Sequence, residues 1–142
     1  MAMRRSSGMT LDEYQKKASE FASYYDNVIY PELGLAEETG EVCGKVAKFV
    51  RRWGRHPYAH PRPSHTISEL REKLKSSRGC GCTTVDAEFV VDVSSELGDT
   101  LWMLSEIATQ YGLHLGDIAE ENIAKLRDRR TRGVIVGEGD DR

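Results

Sequence analysis

Apolar and charged positions recur along this chain with the period of a helix, most clearly between Leu35 and Trp53. Leu35, Val42, Val46, Phe49 and Trp53 form one apolar stripe. Glu38, Glu41, Lys45, Lys48 and Arg52 form a second, charged one. At about 100° per residue the two stripes are centred about a quarter turn apart. Glu38 and Glu41 therefore border a buried face and are not on its far, solvated side. The pattern repeats between Val93 and Tyr111, where Val93, Leu97, Leu104, Ile107 and Tyr111 make a core stripe bordered by Glu96 and Asp99. Two core helices, each with a carboxylate pair at its margin, can pool four acidic groups where they pack. Four such groups repel one another unless a cation lies between them.

Taken in order, Met1–Met9 reads as a disordered start. Thr10 with Glu13 three residues on is a capping box, and it opens a helix whose apolar face holds Leu11, Tyr14, Ala18, Phe21, Ala22, Tyr25, Val28 and Ile29. That helix is expected to end near Tyr30, because the residue before Pro31 is pushed out of the α region. Tyr24 and Tyr25 could stack on a planar ligand, but packing is the expected role of aromatics here. The second helix carries the first carboxylate pair and stops by Gly54, with Cys43 read as a small core residue. Residues 55–84 form an insertion that holds proline, histidine and glycine clusters and one short polar helix, Ile67–Lys75. Connections this long are commonly functional or disordered. The third helix starts near Asp86 and ends at Tyr111, with Gly112 just past its end. The fourth runs from Ile118 to about Arg130. It presents Asn122, Lys125 and Arg129 on one face and Ala119, Ile123 and Leu126 toward a core. Arg132–Arg142, by composition, is a frayed tail. The fold expected is all-α: a bundle of four main helices with a long insertion between the second and third.

Bulk properties narrow the function. A chain of 142 residues is expected to form a single domain (1–142), and a 39% hydrophobic fraction suits long helices that cover more apolar surface by oligomerising. A net charge of −3 gives no reason to expect a nucleic-acid partner. The lack of a long apolar run or leader pattern, together with three cysteines, points to a cytoplasmic protein without a membrane or disulfide framework.

Carboxylates alone select hard cations, Mg²⁺ first and Mn²⁺ second. Mg²⁺ is normally completed by substrate phosphates, and Lys125 and Arg129 add positive charge for them. Together these groups describe metal-assisted phosphoanhydride hydrolysis, with one carboxylate as general base. A di-iron bundle would need Glu-x-x-His on two helices, and no histidine here follows a glutamate at that spacing. Walker A and GxSxG patterns are absent. His56, His60, His65, Cys80 and Cys82 offer zinc-ligand types, but their irregular spacing weighs against structural zinc in the insertion. Lys45 and Lys48 read as solvated or acid-paired cations.

LAEETGEV, SELGDTLW, EENIAKLRDR and the tail RGVIVGEGDDR together resemble the MazG-like nucleotide pyrophosphohydrolases of the all-α NTP pyrophosphatase superfamily, in particular short bacteriophage-type members. The openings LDEYQKKASEFASYY and YPELGLAEETGE are similar to the same subgroup. The long insertion departs from it. The resemblance implies a homodimer or homotetramer that cleaves a (deoxy)nucleoside triphosphate to monophosphate and pyrophosphate with Mg²⁺. It implies Glu38, Glu41, Glu96 and Asp99 as metal ligands, Lys125 and Arg129 as phosphate contacts, Asn122 at sugar or phosphate, and Trp102 in the base pocket. The glycines at 137 and 139 would let the tail fold over nucleotide and bring Arg142 to the phosphates. A non-catalytic nucleotide sensor and a helical interaction module are the alternatives.

Overall fold

The computed structural model of the chain describes residues 8–24, 29–54, 66–75 and 84–134. Among them lie five α-helices and no strand: α1 Leu11–Ala18, α2 Tyr30–Trp53, α3 Ile67–Lys75, α4 Thr84–Gln110 and α5 Leu115–Thr131, with a 3-10 turn at Ser19–Phe21. The all-α expectation is met. No described helix is long and apolar enough to cross a membrane. The chain divides into two compact units, Ile29–Leu104 and Met1–Val28 with Ser105–Arg142, and α4 runs through both.

In the first of these units α2 and α4 pair antiparallel. Gly34 lets the helices approach at one end, where a Cβ would lie 2.6 Å from the Met103 sulfur. At the other end Phe49 and Phe89 meet edge to face, with ring centroids 4.7 Å apart. Such a pair adds roughly 0.5–1.5 kcal/mol beyond its area burial. Between these contacts each advance along α2 is matched by a retreat along α4, so Glu38 and Glu41 face the stretch containing Asp99 and Glu96. Helix α2 begins earlier than expected, at Tyr30, because Pro31 sits in its first turn, where the missing N–H costs no hydrogen bond. It ends at Gly54, whose φ of 63° suits a residue without Cβ. Helix α3 carries its own capping box: Thr66 N–H donates to Glu69 Oε2 at 2.6 Å and Glu69 N–H to Thr66 Oγ1 at 3.2 Å.

In the other unit α1 opens on the expected capping box, Thr10 N–H to Glu13 Oε2 at 2.8 Å and Glu13 N–H to Thr10 Oγ1 at 3.1 Å. The Thr10 backbone N–H first, and then the Thr10 hydroxyl, hold the Glu13 carboxyl below its usual range. The first helix is shorter than predicted. It tightens into the 3-10 turn and stops at Phe21, so the proline that was read as its stop instead starts the next helix. Tyr25 and Val28 lie outside the described residues.

The buried Gln15 ties α1 to the α4–α5 connection. Its Nε2 donates to Thr109 Oγ1 at 3.0 Å and to the Leu113 carbonyl at 2.9 Å, and its Oε1 accepts from Leu115 N–H at 2.8 Å. Asp12 accepts from Gly116 N–H at 2.8 Å. Two α1 side chains thus cap the first turn of α5, whose own N-cap, His114, makes no side-chain cap. Gly112 closes α4 with φ 67°, and Leu113 N–H reaches back to the Ala108 carbonyl at 2.9 Å.

Burial corrects several expectations. Leu97 is 53% exposed, and Leu104 and Tyr111 are exposed as well, whereas Ala87, Met103, Ser105, Glu106 and Ala108 are the buried positions of α4. On α5, Ile123 and Leu126 are exposed, while Leu115 and Arg129 are buried. Cys43 is exposed, not a core residue. Helical periodicity marks an apolar stripe but does not say which neighbour covers it, and a single chain leaves these stripes open.

Candidate functional site

The two carboxylate pairs converge. Oxygens of Glu38, Glu41 and Glu96 lie within 4.8 Å of one another, two from α2 and one from α4. Asp99 lies outside that set, yet it is near enough to act on Glu38. The Glu38 carboxyl is raised above its ordinary range, first by partial burial and then by the charges of Asp99, Glu41, Glu37 and Glu96. Burial and the four neighbouring carboxylates all disfavour its charged form. The donors are all carboxylate oxygens, they come from two packed helices, and their mutual repulsion would be relieved by a cation between them. On chemistry and geometry they fit a hard divalent ion.

Lys45, one turn beyond Glu41, donates to Glu96 Oε1 at 3.1 Å and lies 3.9 Å from Asp92 Oδ2. It was expected to be solvated or acid-paired, and it is paired. Its partner is one of the candidate ligands themselves, whose side chain is only 13% exposed. These carboxylates hold the Lys45 ammonium above its usual range, the hydrogen bond to Glu96 contributing most. Sequence inspection missed Glu37 and Asp92 as members of this electrostatic cluster. Asp92 is one helical turn before Glu96, so the spacing carried the signal.

In the other unit Asn122 and Lys125 line a cavity of about 520 Å³. Gly112, Leu113 and His114 of the α4–α5 connection and Asp117, Ile118 and Glu121 of α5 complete its wall. Donors, acceptors and an imidazole around a space of this size are what a small polar ligand requires. Arg129, expected on the same face, is not part of that wall; only 5% of it is exposed. Arginine is rarely so buried. Trp102 is half-buried on α4. Arg142 and the candidate zinc ligands His56, His60, His65, Cys80 and Cys82 lie outside the described residues.

Among the described residues the chain is helical, with a carboxylate cluster shared by two antiparallel helices. Residues 32–134 match the MazG nucleotide pyrophosphohydrolase domain, and the chain belongs to that family. It is also 29% identical over 142 residues to the Gene 37 protein of Mycobacterium phage L5, a match that covers 94% of this chain and 100% of that protein. No solved structure gives a significant match.

Proposed function

We propose that this protein is a Mg²⁺-dependent nucleoside triphosphate pyrophosphohydrolase that cleaves a (d)NTP to (d)NMP and pyrophosphate. The convergence of Glu38, Glu41 and Glu96 within 4.8 Å, inside a MazG domain, carries this reading. In it, Glu38, Glu41, Glu96 and Asp99 hold the metal, with Mn²⁺ as a substitute for Mg²⁺. A divalent ion at this position supplies charge for the phosphates and a water of lowered pKa. One carboxylate of the cluster accepts the proton of the water that breaks the bond between the α- and β-phosphates.

Lys125 binds phosphate, Asn122 orients sugar or phosphate, and Trp102 borders the base. Arg129 also binds phosphate, from its buried position on α5, and Arg142 reaches the phosphates from the tail. Residues 1–142 act as one MazG-like domain, a homodimer or homotetramer in the cytoplasm, without nucleic-acid or membrane partners. The exposed Leu97, Leu104, Ile123 and Leu126 support assembly, because a second copy would cover apolar stripes that the single chain leaves open.

The test is a panel of ribo- and deoxynucleoside triphosphates incubated with purified protein and Mg²⁺, with monophosphate and pyrophosphate quantified. Equimolar release of both, abolished by chelator, is the expected result. Nucleotide binding without turnover would make the protein a sensor. Neither binding nor turnover would leave an interaction module. Light scattering on the same sample reads the assembly state.

A further inference from the structure

The helical unit that carries the acidic cluster also contains a second feature that the proposed roles leave unused. A cavity of about 430 Å³ opens between Lys45, Lys48 and Arg52 on α2 and Glu88, Phe89 and Asp92 on α4. It adjoins the carboxylates directly, because Lys45 lines it and at the same time donates to Glu96 at 3.1 Å. We propose that this cavity is the subsite for the pyrophosphate end of the substrate, with Lys48 and Arg52 as its phosphate ligands. This rests on the pyrophosphohydrolase reading and extends it from the metal to the leaving group.

The three cations continue the stripe that holds Glu38 and Glu41. With a rise of about 1.5 Å per residue, Lys45 stands about 6 Å and Lys48 about 10.5 Å along the axis from Glu41. A phosphate chain that starts at the acidic cluster and runs along α2 therefore meets Lys45 first and Lys48 next.

Among the described residues neither Lys48 nor Arg52 has a carboxylate within ion-pair distance, whereas Lys45 is engaged with Glu96 and Asp92. Arg52 lies over Trp53, its guanidinium carbon 5.3 Å from the ring centroid. A guanidinium held over a ring can still offer N–H donors to phosphate oxygens. Basic residues at a helix C-terminus are favoured by the dipole in any case. That preference does not account for their grouping around a concave space floored by the Phe49–Phe89 contact. Glu88 and Asp92 on the far wall make the site suited to a Mg²⁺-complexed pyrophosphate more than to a bare one. A metal held by Glu96 would compete with Lys45 for that carboxylate and so would leave Lys45 to the same ligand.

The competing occupant is the nucleobase, stacked on the exposed Trp53. Calorimetric titration with Mg²⁺-pyrophosphate, and separately with Mg²⁺ and a deoxynucleoside monophosphate, separates the two. Lys48→Ala/Arg52→Ala should weaken pyrophosphate binding at least about tenfold, since each charge-assisted bond is worth roughly that factor. Monophosphate binding should stay within about twofold, a change too small for a lost charged contact. Lys48→Arg should retain pyrophosphate binding, and far-UV circular dichroism should report unchanged helix content in all variants.

Wild-type protein that fails to bind Mg²⁺-pyrophosphate, or a double variant that binds it normally, overturns the subsite. So does a double variant that loses monophosphate affinity as far as pyrophosphate affinity, which would assign the cavity to the nucleoside. A protein that binds pyrophosphate through these residues but hydrolyses no nucleotide would overturn the reaction and leave the subsite standing.

Discussion

Gly34 on α2 packs so closely on Met103 of α4 that any side chain at this position would collide with the methionine sulfur. Met103 is itself buried and cannot swing aside freely. This contact helps set the register that places Glu38 and Glu41 against Glu96. Gly34→Val should cost about 1–3 kcal/mol, typical of an overpacked core, despite removing a flexible glycine from a helix. In a double-mutant cycle with Met103→Ala the two losses should combine less than additively. Strict additivity of the melting data would mean that the contact does not set the helix spacing.

The cluster predicts opposite effects on stability and activity. Glu38→Gln or Glu96→Gln should lower turnover by roughly 10²-fold or more while leaving the fold intact. Without metal, Glu38→Gln should also melt at a higher temperature near neutral pH, because it removes a charge that its neighbours disfavour. Wild-type turnover in both variants would exclude these residues as ligands.

The raised Glu38 carboxyl makes a signed pH prediction. The folded state holds this proton to higher pH than the unfolded chain does, so the stability linked to it is present below the ordinary glutamate value of about 4.3 and lost as pH rises through the raised folded value. Glu13 acts in the other direction: its lowered carboxyl contributes stability above its ordinary value that is lost as pH falls. The difference in melting temperature between wild type and Glu38→Gln isolates the first effect. That difference should widen as pH rises in metal-free buffer and shrink when Mg²⁺ is added. A difference independent of both would remove the electrostatic account.

Lys125 and Arg129 should behave differently although they share a helix face. Lys125 is exposed beside the Asn122 cavity, so Lys125→Ala should weaken nucleotide binding by about tenfold with little change in melting temperature. Arg129 is buried, so Arg129→Ala should cost about 1–3 kcal/mol of stability whatever it does to catalysis. Equal melting temperatures for the two variants would contradict the burial.

Gln15 joins α1 to the start of α5 through three hydrogen bonds. Gln15→Leu keeps a similar volume but strands the Leu115 N–H and the Leu113 carbonyl, at about 1–3 kcal/mol for each buried group left unsatisfied. Hydrogen exchange should show the first turn of α5 opening faster than in wild type. Unchanged protection there would mean that α5 is capped by other groups.

Deletion of residues 138–142 tests the tail and Arg142. Loss of activity with an unchanged ligand-free melting temperature is the expected result, because a segment that acts only on bound nucleotide contributes little to the free fold. Full activity in the truncated protein would dismiss the phosphate role of Arg142.

The sequence by itself determined what local geometry controls. The Thr10–Glu13 capping box, Gly112 past the end of α4 and the stop of α2 at Gly54 depend on neighbours within about one turn, and all are found. The placing of Glu38 and Glu41, and of Glu96 and Asp99, at the margins of their helices is equally local, since spacing sets the angle around a helix axis. Tertiary structure alone decided which margins meet. Glu96 joins Glu38 and Glu41, and Lys45 takes Glu96 as its partner, only because α2 and α4 run antiparallel in the register of Gly34 and Met103.

The same limit explains the corrections. Periodicity placed Arg129 on the Lys125 face without showing that it is buried, and did not show what would cover Leu126, because it reports the direction of a side chain and not what packs against it. Asp12 and Gln15 cap a helix that begins about a hundred positions later in the chain. No spacing within a sequence encodes that contact; it arises when burial of apolar surface folds α1 back against α5 and the α4–α5 turn.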